Sequence, residues 1–527
     1  MVTAAPTRGY DIGQMHRLIQ GGPTLGWRAL HVMRPLSLVT ASVALLWPGT
    51  SLGPSIDAAV YVLAGSRVRD GIMPYRGLWD SKPPGSFVLN ALGQALLPWL
   101  EPWLVSWLLT VVFTGTAILL IYDLLCRHLS AGASWGWSLV GCVAMACYPV
   151  ALGGGLTESF AVLPIVAALW GIAVWPRTWR TTAAIGCLLS CACLISLQSL
   201  PGAACLAIAV VWSGGRVAAS VRQAAACLGG ALPIPVAVLG WLVLGGALGD
   251  AVDQIVAFNV ADRERGGQLL LLLPVTVLLL CCFAVPAGVA FAKGIRRPRS
   301  LGRVDWACLA WCLSYAVYIL YQGRIFLHFL IPVAPPLVIL ASHGMQEVWA
   351  RIGSPKPSIR RLAISLAAVA GGALLVSASV TVQLSAMALG QASDKERLVN
   401  ATEVWIRAGT PASATMFVWG GDAVLYLGTD RAPADQFVDD FPTSAVRYWT
   451  ADRTAALLDS WDASPPVIIV EGSATPPLLR PATDGPVSGG PDALSPLRDF
   501  VRAHYRLAAS FGDGGDFEDI YLYSSSR

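Results

Sequence analysis

Charge is scarce in this chain. Only 13% of its 527 residues are charged, 55% are hydrophobic, and the mean hydropathy is +0.60. That scarcity excludes a disordered polymer, a collagen-like fibre and an ordinary soluble enzyme of this size, whose surface needs far more charge to stay wetted. The formal net charge of +4 is too small to point to nucleic acid. Cysteine is missing from the polar last third: all 12 lie between Cys126 and Cys312, in or beside apolar runs. No CxxC pair or Cys/His cluster has zinc spacing, and Cys187, Cys191 and Cys193 share one apolar run without a neighbouring His. They read as small hydrophobes of a helical core. No small-residue cleavage site follows the first apolar stretch, so a retained N-terminus is expected. Internal repeats and a phosphate-cradling glycine loop are also lacking, and Gly512 to Gly515 reads as a turn.

Long apolar runs dominate what is present. A bilayer core takes about 20 apolar residues as helix. That ruler marks eleven spans: 35–52, 103–125, 134–153, 158–175, 182–198, 201–214, 224–248, 268–292, 304–321, 327–343 and 361–388. One further run, 86–100, is short and interrupted. Basic residues collect on the cytoplasmic side of membranes. Arg8, Arg17, Arg28 and Arg34 precede the first span. Arg177 and Arg180, Arg216 and Arg222, Lys293 to Arg303, and Arg351 to Arg361 fill every second later loop. All become cytoplasmic together only if 86–125 crosses once, so 86–100 is expected to lie along the outer interface or dip in. The expected protein is an α-helical polytopic membrane protein of about eleven spans in the plasma membrane. Its N-terminus is cytoplasmic, its membrane part covers 1–390, and 391–527 form a small extracytoplasmic α/β domain. Short β-rich runs at Thr415–Trp419, Val467–Val470 and Ile520–Tyr523 alternate there with helical patterns at Asp394–Arg407 and Leu494–Tyr505.

On this topology the outer face holds residues 53–102, the turns at Gly153–Glu158 and Gln198, residues 249–267 and the turn Gln322–Phe326. Asp57 follows the first span, and Tyr61 lies one helical turn later on the same face. A carboxylate half-desolvated at the membrane boundary becomes a better base, whereas the bland alternative for Asp57 is helix capping. In the run Asp80-Ser-Lys82-Pro-Pro-Gly85 the two prolines stiffen the chain, so Asp80 and Lys82 project at set positions suited to a phosphate beside a sugar hydroxyl. The alternative is a local ion pair. Glu158 follows three glycines in an outer turn, with capping alongside Thr157 as its alternative. His328, four residues after Arg324, is expected on the same helical face, where it would bind substrate or simply pack. Asn259, Asp262, Arg263 and Arg265 form a further polar outer loop that would suit a gate. Trp419 to Asp422 follow a predicted strand, and facing the membrane cavity would suit acceptor recognition, with simple support of the catalytic loop as the alternative. His504 is the only histidine of the last third, so no Ser/His/Asp arrangement exists there.

The stretch DAAVYVLAGSRVRDGIMPYRGLWDSKPPG, from Asp57 to Gly85, resembles the first extracytoplasmic loop of the GT-C superfamily, specifically bacterial relatives of the dolichyl-phosphate-mannose protein mannosyltransferases and the aminoarabinose transferases. LTES at Leu156–Ser159 is similar to that family's outer-turn acid, and GRIFLHFLIPVAPPL at Gly323–Leu337 to its aromatic-His stretch. The resemblance covers about 390 residues. It implies a hexosyl- or pentosyltransferase that moves a sugar from a polyprenyl-phosphate donor to an envelope glycan, lipid or protein acceptor. Asp57 would be the base of a single inverting displacement, and Tyr61, Asp80, Lys82, Glu158, Arg324 and His328 would bind substrates. Many relatives carry a second acid beside the first, whereas Ala58 follows Asp57 here; this weakens a paired-carboxylate metal site, and dependence on a divalent cation stays open. A transporter or flippase is the rival from another class. It would carry polar residues to the midplane of two pseudo-symmetric halves.

Overall fold

The structure, a computed structural model, describes residues 25–212, 216–262, 302–322, 326–352, 394–420, 423–439, 441–445, 447–472, 478–479, 493–513 and 516–524. The apolar runs within them are helices. α1 (Leu25–Leu46) is followed by a short helix, Pro48–Leu52; α2 (Ile56–Arg69) and α3 (Gly85–Leu96) belong to the first loop, between α1 and the next long helix. Then come α4 (Pro102–Cys126), α5 (Ala131–Ala146), α6 (Thr157–Val174), α7 (Trp179–Ile195), α8 (Leu200–Val211), α9 (Val217–Ala231), α10 (Pro233–Leu244), α11 (Arg303–Gln322) and α12 (Ala334–Ile352).

Among the described residues, five segments are long and apolar enough to cross a membrane: Val32–Leu52, α4, α6, the continuous α9–α10 rod and α11. Three shorter apolar helices, Ala131–Ala146, Trp179–Ile195 and Leu197–Val211, coincide with three more expected spans. The run 327–343 opens with a 3-10 turn at Leu327–Leu330 before α12. The expected spans 268–292 and 361–388 lie outside the described residues. α3 has 12 residues, about 18 Å of helix, against the roughly 30 Å of a hydrocarbon core. It packs instead on α2, so closely that a Cβ on Gly65 would lie 2.4 Å from that of Asn90. Gln94 ties the pair together, accepting from Ser66 Oγ at 2.9 Å and donating to the Val62 carbonyl at 3.1 Å.

Beyond the helices, α13 (Asp394–Gly409), α14 (Ala451–Ala463) and α15 (Ser495–His504) accompany a five-stranded sheet of order β2-β1-β3-β5-β4. β1 (Thr415–Trp419) pairs in parallel with β2 (Ala432–Pro433) and β3 (Ile468–Gly472). β5 (Asp516–Tyr523) runs antiparallel to both β3 and β4 (Tyr505–Asp513). The β4–β5 ladder ends at the Asp513–Asp516 pair; Gly514 and Gly515, in the run expected to turn, lie outside the described residues. The helix expected to reach Tyr505 stops at His504, because Tyr505 adopts extended backbone and donates its hydroxyl to the Pro466 carbonyl at 2.8 Å.

Two apolar clusters weld this sheet to the first loop. One joins Tyr61, Tyr75, Leu78 and Phe87 with Met416, Val418, Ile468 and Val470. The other gathers Trp79, Phe258, Tyr448, Phe417, Trp419 and Trp461. Trp419 is fully buried there, so the Trp419–Asp422 segment does not begin by facing a membrane cavity, as its sequence had suggested; Gly421 and Asp422 lie outside the described residues.

One turn sets the start of α6. Leu152, Gly153, Gly154 and Gly155 all have positive φ, from 49° to 113°, a region costly for residues with a Cβ. A Cβ on Gly155 would lie 2.8 Å from both the Ala58 methyl and the Trp103 ring, and the Gly155 N–H donates to Thr110 Oγ1 at 2.8 Å. Gly155→Ala is therefore expected to lower stability by about 1–3 kcal/mol through strain and overpacking, measured by thermal unfolding in detergent. Wild-type stability of that variant would remove this wedge from the account.

Candidate active site

The first loop is built to present a few groups at one place. Gly53, at φ 76°, turns the chain, and Ser55 then caps α2 by accepting from Ala58 N–H at 3.3 Å. The cap is thus Ser55 and not Asp57. Asp57 stands exposed in the first turn of α2, with Tyr61 buried one turn further on. Glu158 is buried at 2% exposure in the first turn of α6, whose N-cap, Leu156, makes no side-chain cap. The capping alternative therefore fails for Glu158 too.

Asp80 and Lys82 sit on a loop whose backbone is bonded almost atom by atom. Lys82 N–H donates to Asp80 Oδ1 at 2.7 Å, closing a tight Asx turn, and Tyr75 hydroxyl donates to the Lys82 carbonyl at 2.9 Å. With both its backbone polar groups used, Lys82 has a fixed Cα–Cβ direction. Gln254, buried at 3%, accepts from Asp80 N–H at 3.1 Å and donates to the Tyr75 carbonyl at 2.6 Å. Asn259 donates to the Ser81 carbonyl at 3.0 Å. From the C-terminal part, the Gln436 carbonyl accepts Trp79 N–H at 2.7 Å. Tyr448 hydroxyl accepts from Trp79 Nε1–H at 3.0 Å and donates to Asp253 at 2.6 Å. Arg453 holds the other oxygen of Asp253 at 2.8 Å and lies 3.9 Å from the Tyr448 ring centre. Asn259, read in sequence as part of a gate, is a clamp. Arg263 and Arg265 lie outside the described residues.

Electrostatics unite Asp57, Tyr61, Asp80, Lys82 and Glu158. Burial works to lower Lys82, but Glu158, Asp80 and Asp57, in that order, outweigh it and hold the ammonium above its usual range. Among the described residues none of these carboxylates forms a direct ion pair with Lys82, so the local Asp80–Lys82 bridge is not made. Burial pushes Asp80 up to about 7, against the pull of Lys82 and of backbone N–H groups, with Asp57 adding to the rise. Tyr61 is raised by burial first and then by Asp57, Asp80, Glu158 and Asp439. Tyr318 of α11 falls within reach of both Lys82 and Glu158. Among the described residues, no three His, Cys, Asp or Glu side chains form a metal-holding group.

Two expectations fare differently. Arg324 lies outside the described residues. His328 is not on one helical face with it, since Phe326 is extended and Leu327–Leu330 form a 3-10 turn. The His328 ring stacks on Phe326 at 5.3 Å and meets Phe329 edge-on at 5.0 Å, the packing alternative. Nothing in the sequence pointed to Gln254, Tyr318, Tyr448 or Asp439. Their partners are backbone groups or charges far away in the chain, and no local spacing encodes them.

The chain is similar to the crystal structure of ArnT from Cupriavidus metallidurans bound to undecaprenyl phosphate. Identity is 13%, the TM-score is 0.59, and 95% of this chain and 99% of that one are covered. The apo state of the same protein gives 13% and 0.54, over 95% and 98% of the two chains. The Archaeoglobus fulgidus oligosaccharyltransferase in complex with Zn and sulfate gives 12% and 0.50, over 84% of this chain and 68% of that one. No family model matches the chain, and no curated protein matches it by sequence.

Asp80 also generates a pH dependence. Unfolded, it would titrate near 3.8; folded, at about 7. A carboxyl raised on folding contributes stability that is fully present below the unfolded value and is lost as pH rises through the folded one. Asp80→Asn keeps an oxygen for the Asx turn and never ionises. It is expected to gain on wild type between pH 4 and pH 8, by on the order of a few kcal/mol. Thermal unfolding at the two pH values reads the gain, and a pH-independent difference would refute it.

Proposed function

We propose, from the premise that the chain carries a polytopic GT-C membrane fold, that it is a glycosyltransferase of the membrane boundary. It moves a monosaccharide from a polyprenyl-phosphate donor to an envelope glycan, lipid or protein acceptor on the extracytoplasmic face. The observation carrying this reading is the set of three carboxylates, from two separate outer segments, around a lysine that none of them grips. An exposed carboxylate beside an unclaimed ammonium, at the mouth of apolar helices, supports a site where a lipid phosphate meets a hydroxyl nucleophile.

In this reading the acceptor oxygen attacks the anomeric carbon, the bond from that carbon to the phosphate oxygen breaks, and configuration inverts. Asp57 takes the hydroxyl proton. It is the acid of the set open to solvent, where an acceptor arrives. Positive charge grows on the sugar ring and negative charge on the departing phosphate. Lys82, fixed by its backbone bonds, lies where it stabilises the latter, and Arg324 is the second cation the resemblance implies. Glu158 and Tyr61 line the sugar side. Asp80 takes a narrower role than its sequence suggested: its carboxyl closes the turn that aims Lys82.

The test is transfer from labelled polyprenyl-phosphate sugars by the purified protein. Asp57→Asn is expected to lower kcat by about 10²–10⁴-fold while donor binding persists. Lys82→Met is expected to weaken donor binding. Unchanged turnover in Asp57→Asn would remove the base assignment.

A further inference from the structure

A second charged site lies at the opposite end of the helices. α6 begins with Glu158 and ends at Val174, a rise of about 27 Å over its 18 residues. Beyond that end, Arg177, Thr178, Trp179, Arg180, Arg222 and Gln223 line a cavity of about 760 Å³ between α7 and α9. Thr182 Oγ1 bonds Gln223, joining the two helices at this cavity. Arg177 donates to the Val210 and Trp212 carbonyls, which finishes the end of α8 and holds its guanidinium in place. Arg303 adds its charge nearby. The chain has no Asp or Glu between Glu158 and Asp250. Among the described residues, neither Arg180 nor Arg222 has an acidic partner, and both are exposed.

The other face of α9 is apolar. Ile208, Trp212, Val217, Val221 and Leu228 line a crevice of about 640 Å³ between α8 and α9. All five side chains are more than half exposed. Trp179, 56% exposed with Arg180 over its ring at 5.4 Å, lines the charged cavity, and Trp212, also exposed, lines the apolar crevice.

We propose that this corner binds one anionic phospholipid of the leaflet opposite the catalytic face. The phosphodiester sits among Arg177, Arg180 and Arg222, and an acyl chain lies in the crevice across α9. Arg180 and Arg222, exposed and with no acidic partner among the described residues, call for an anion from outside, and guanidinium forks match phosphate oxygens. The contiguous apolar crevice selects a lipid over a soluble anion, as basic pockets between membrane helices do on cytoplasmic surfaces. The site requires no glycosyl transfer and stands or falls apart from it.

Binding of fluorescent phosphatidylglycerol to the full-length protein in neutral detergent tests the proposal. Saturable binding is expected, displaced by unlabelled phosphatidylglycerol and not by phosphatidylcholine. At about 1 kcal/mol per cation, Arg180→Gln/Arg222→Gln is expected to weaken it roughly 30-fold. Arg180→Lys/Arg222→Lys, which keeps the charge, is expected to retain most of it and controls for folding. Equal displacement by phosphatidylcholine, or undiminished binding to the Gln variant, would overturn the proposal. So would displacement by glycerol 1-phosphate alone at the concentrations that suffice for the whole lipid, which would make this a soluble-anion site.

Discussion

The burial of the first loop against the C-terminal part is the constraint on which the rest of the structure depends. The segment from Ile56 to Leu96 contains two helices too short to span a bilayer, yet it is rich in aromatic and branched residues. Such a segment must find apolar cover elsewhere. Tyr75 and Phe87 are fully buried, Leu78 nearly so, in a cluster that also holds Leu242, Leu425, Tyr426 and residues of β1, β3 and β5. At about 1.5–3 kcal/mol for each large apolar side chain, this contact outweighs the hydrogen bonds around Trp79 and Asp80, worth about 1 kcal/mol each. The apolar contact supplies the adhesion; the bonds from Gln254, Asn259, Gln436 and Tyr448 choose one register within it.

That division of labour explains how acids and a lysine stand together without collapsing into an ion pair. A flexible loop would let Lys82 swing onto the nearest carboxylate. Here its N–H and C=O are both committed and two prolines follow it, so its Cα–Cβ direction is fixed and only side-chain rotamers are left to move the ammonium. Burial raises Asp80 toward neutrality, which removes the strongest local rival for the ammonium while leaving its oxygen as an acceptor. The positive charge on Lys82 is then shaped chiefly by Glu158, which reaches the cluster from another helix.

The sequence was most informative where physics acts locally. Apolar run length located the helices, and the shortness of the 86–100 run kept it from being counted as a span. The glycine run before Glu158 marked a turn with positive φ. Asp57, Tyr61, Asp80, Lys82 and Glu158 were legible because a resemblance and a rigid proline turn singled them out. The capping alternative weighed for Asp57 falls to Ser55, since both residue types are good caps and only backbone geometry decides between them. The placement of His328 failed because a helical face was extended through Phe326, which is extended. Gln254, Tyr448 and Asp439 were illegible for a different reason. Gln254 meets Asp80 across 174 positions and Tyr448 meets Trp79 across 369, through groups that any polar residue offers.

The tie between the loop and the sheet also bears on what the C-terminal part does. A domain that only recognised an acceptor would be free to touch the membrane part lightly. Instead its strands complete the core of the loop that holds Lys82, its Tyr448 bridges Trp79 to Asp253, and its Asp439 places a buried charge within reach of Tyr61. Loss of the sheet would expose Tyr75, Leu78 and Phe87 to water and release Trp79. The turn holding Asp80 and Lys82 would then keep only its own Asx bond and the bonds from Tyr75, Gln254 and Asn259. The geometry of the outer cluster is therefore a property of both parts of the chain jointly, and neither contains it alone.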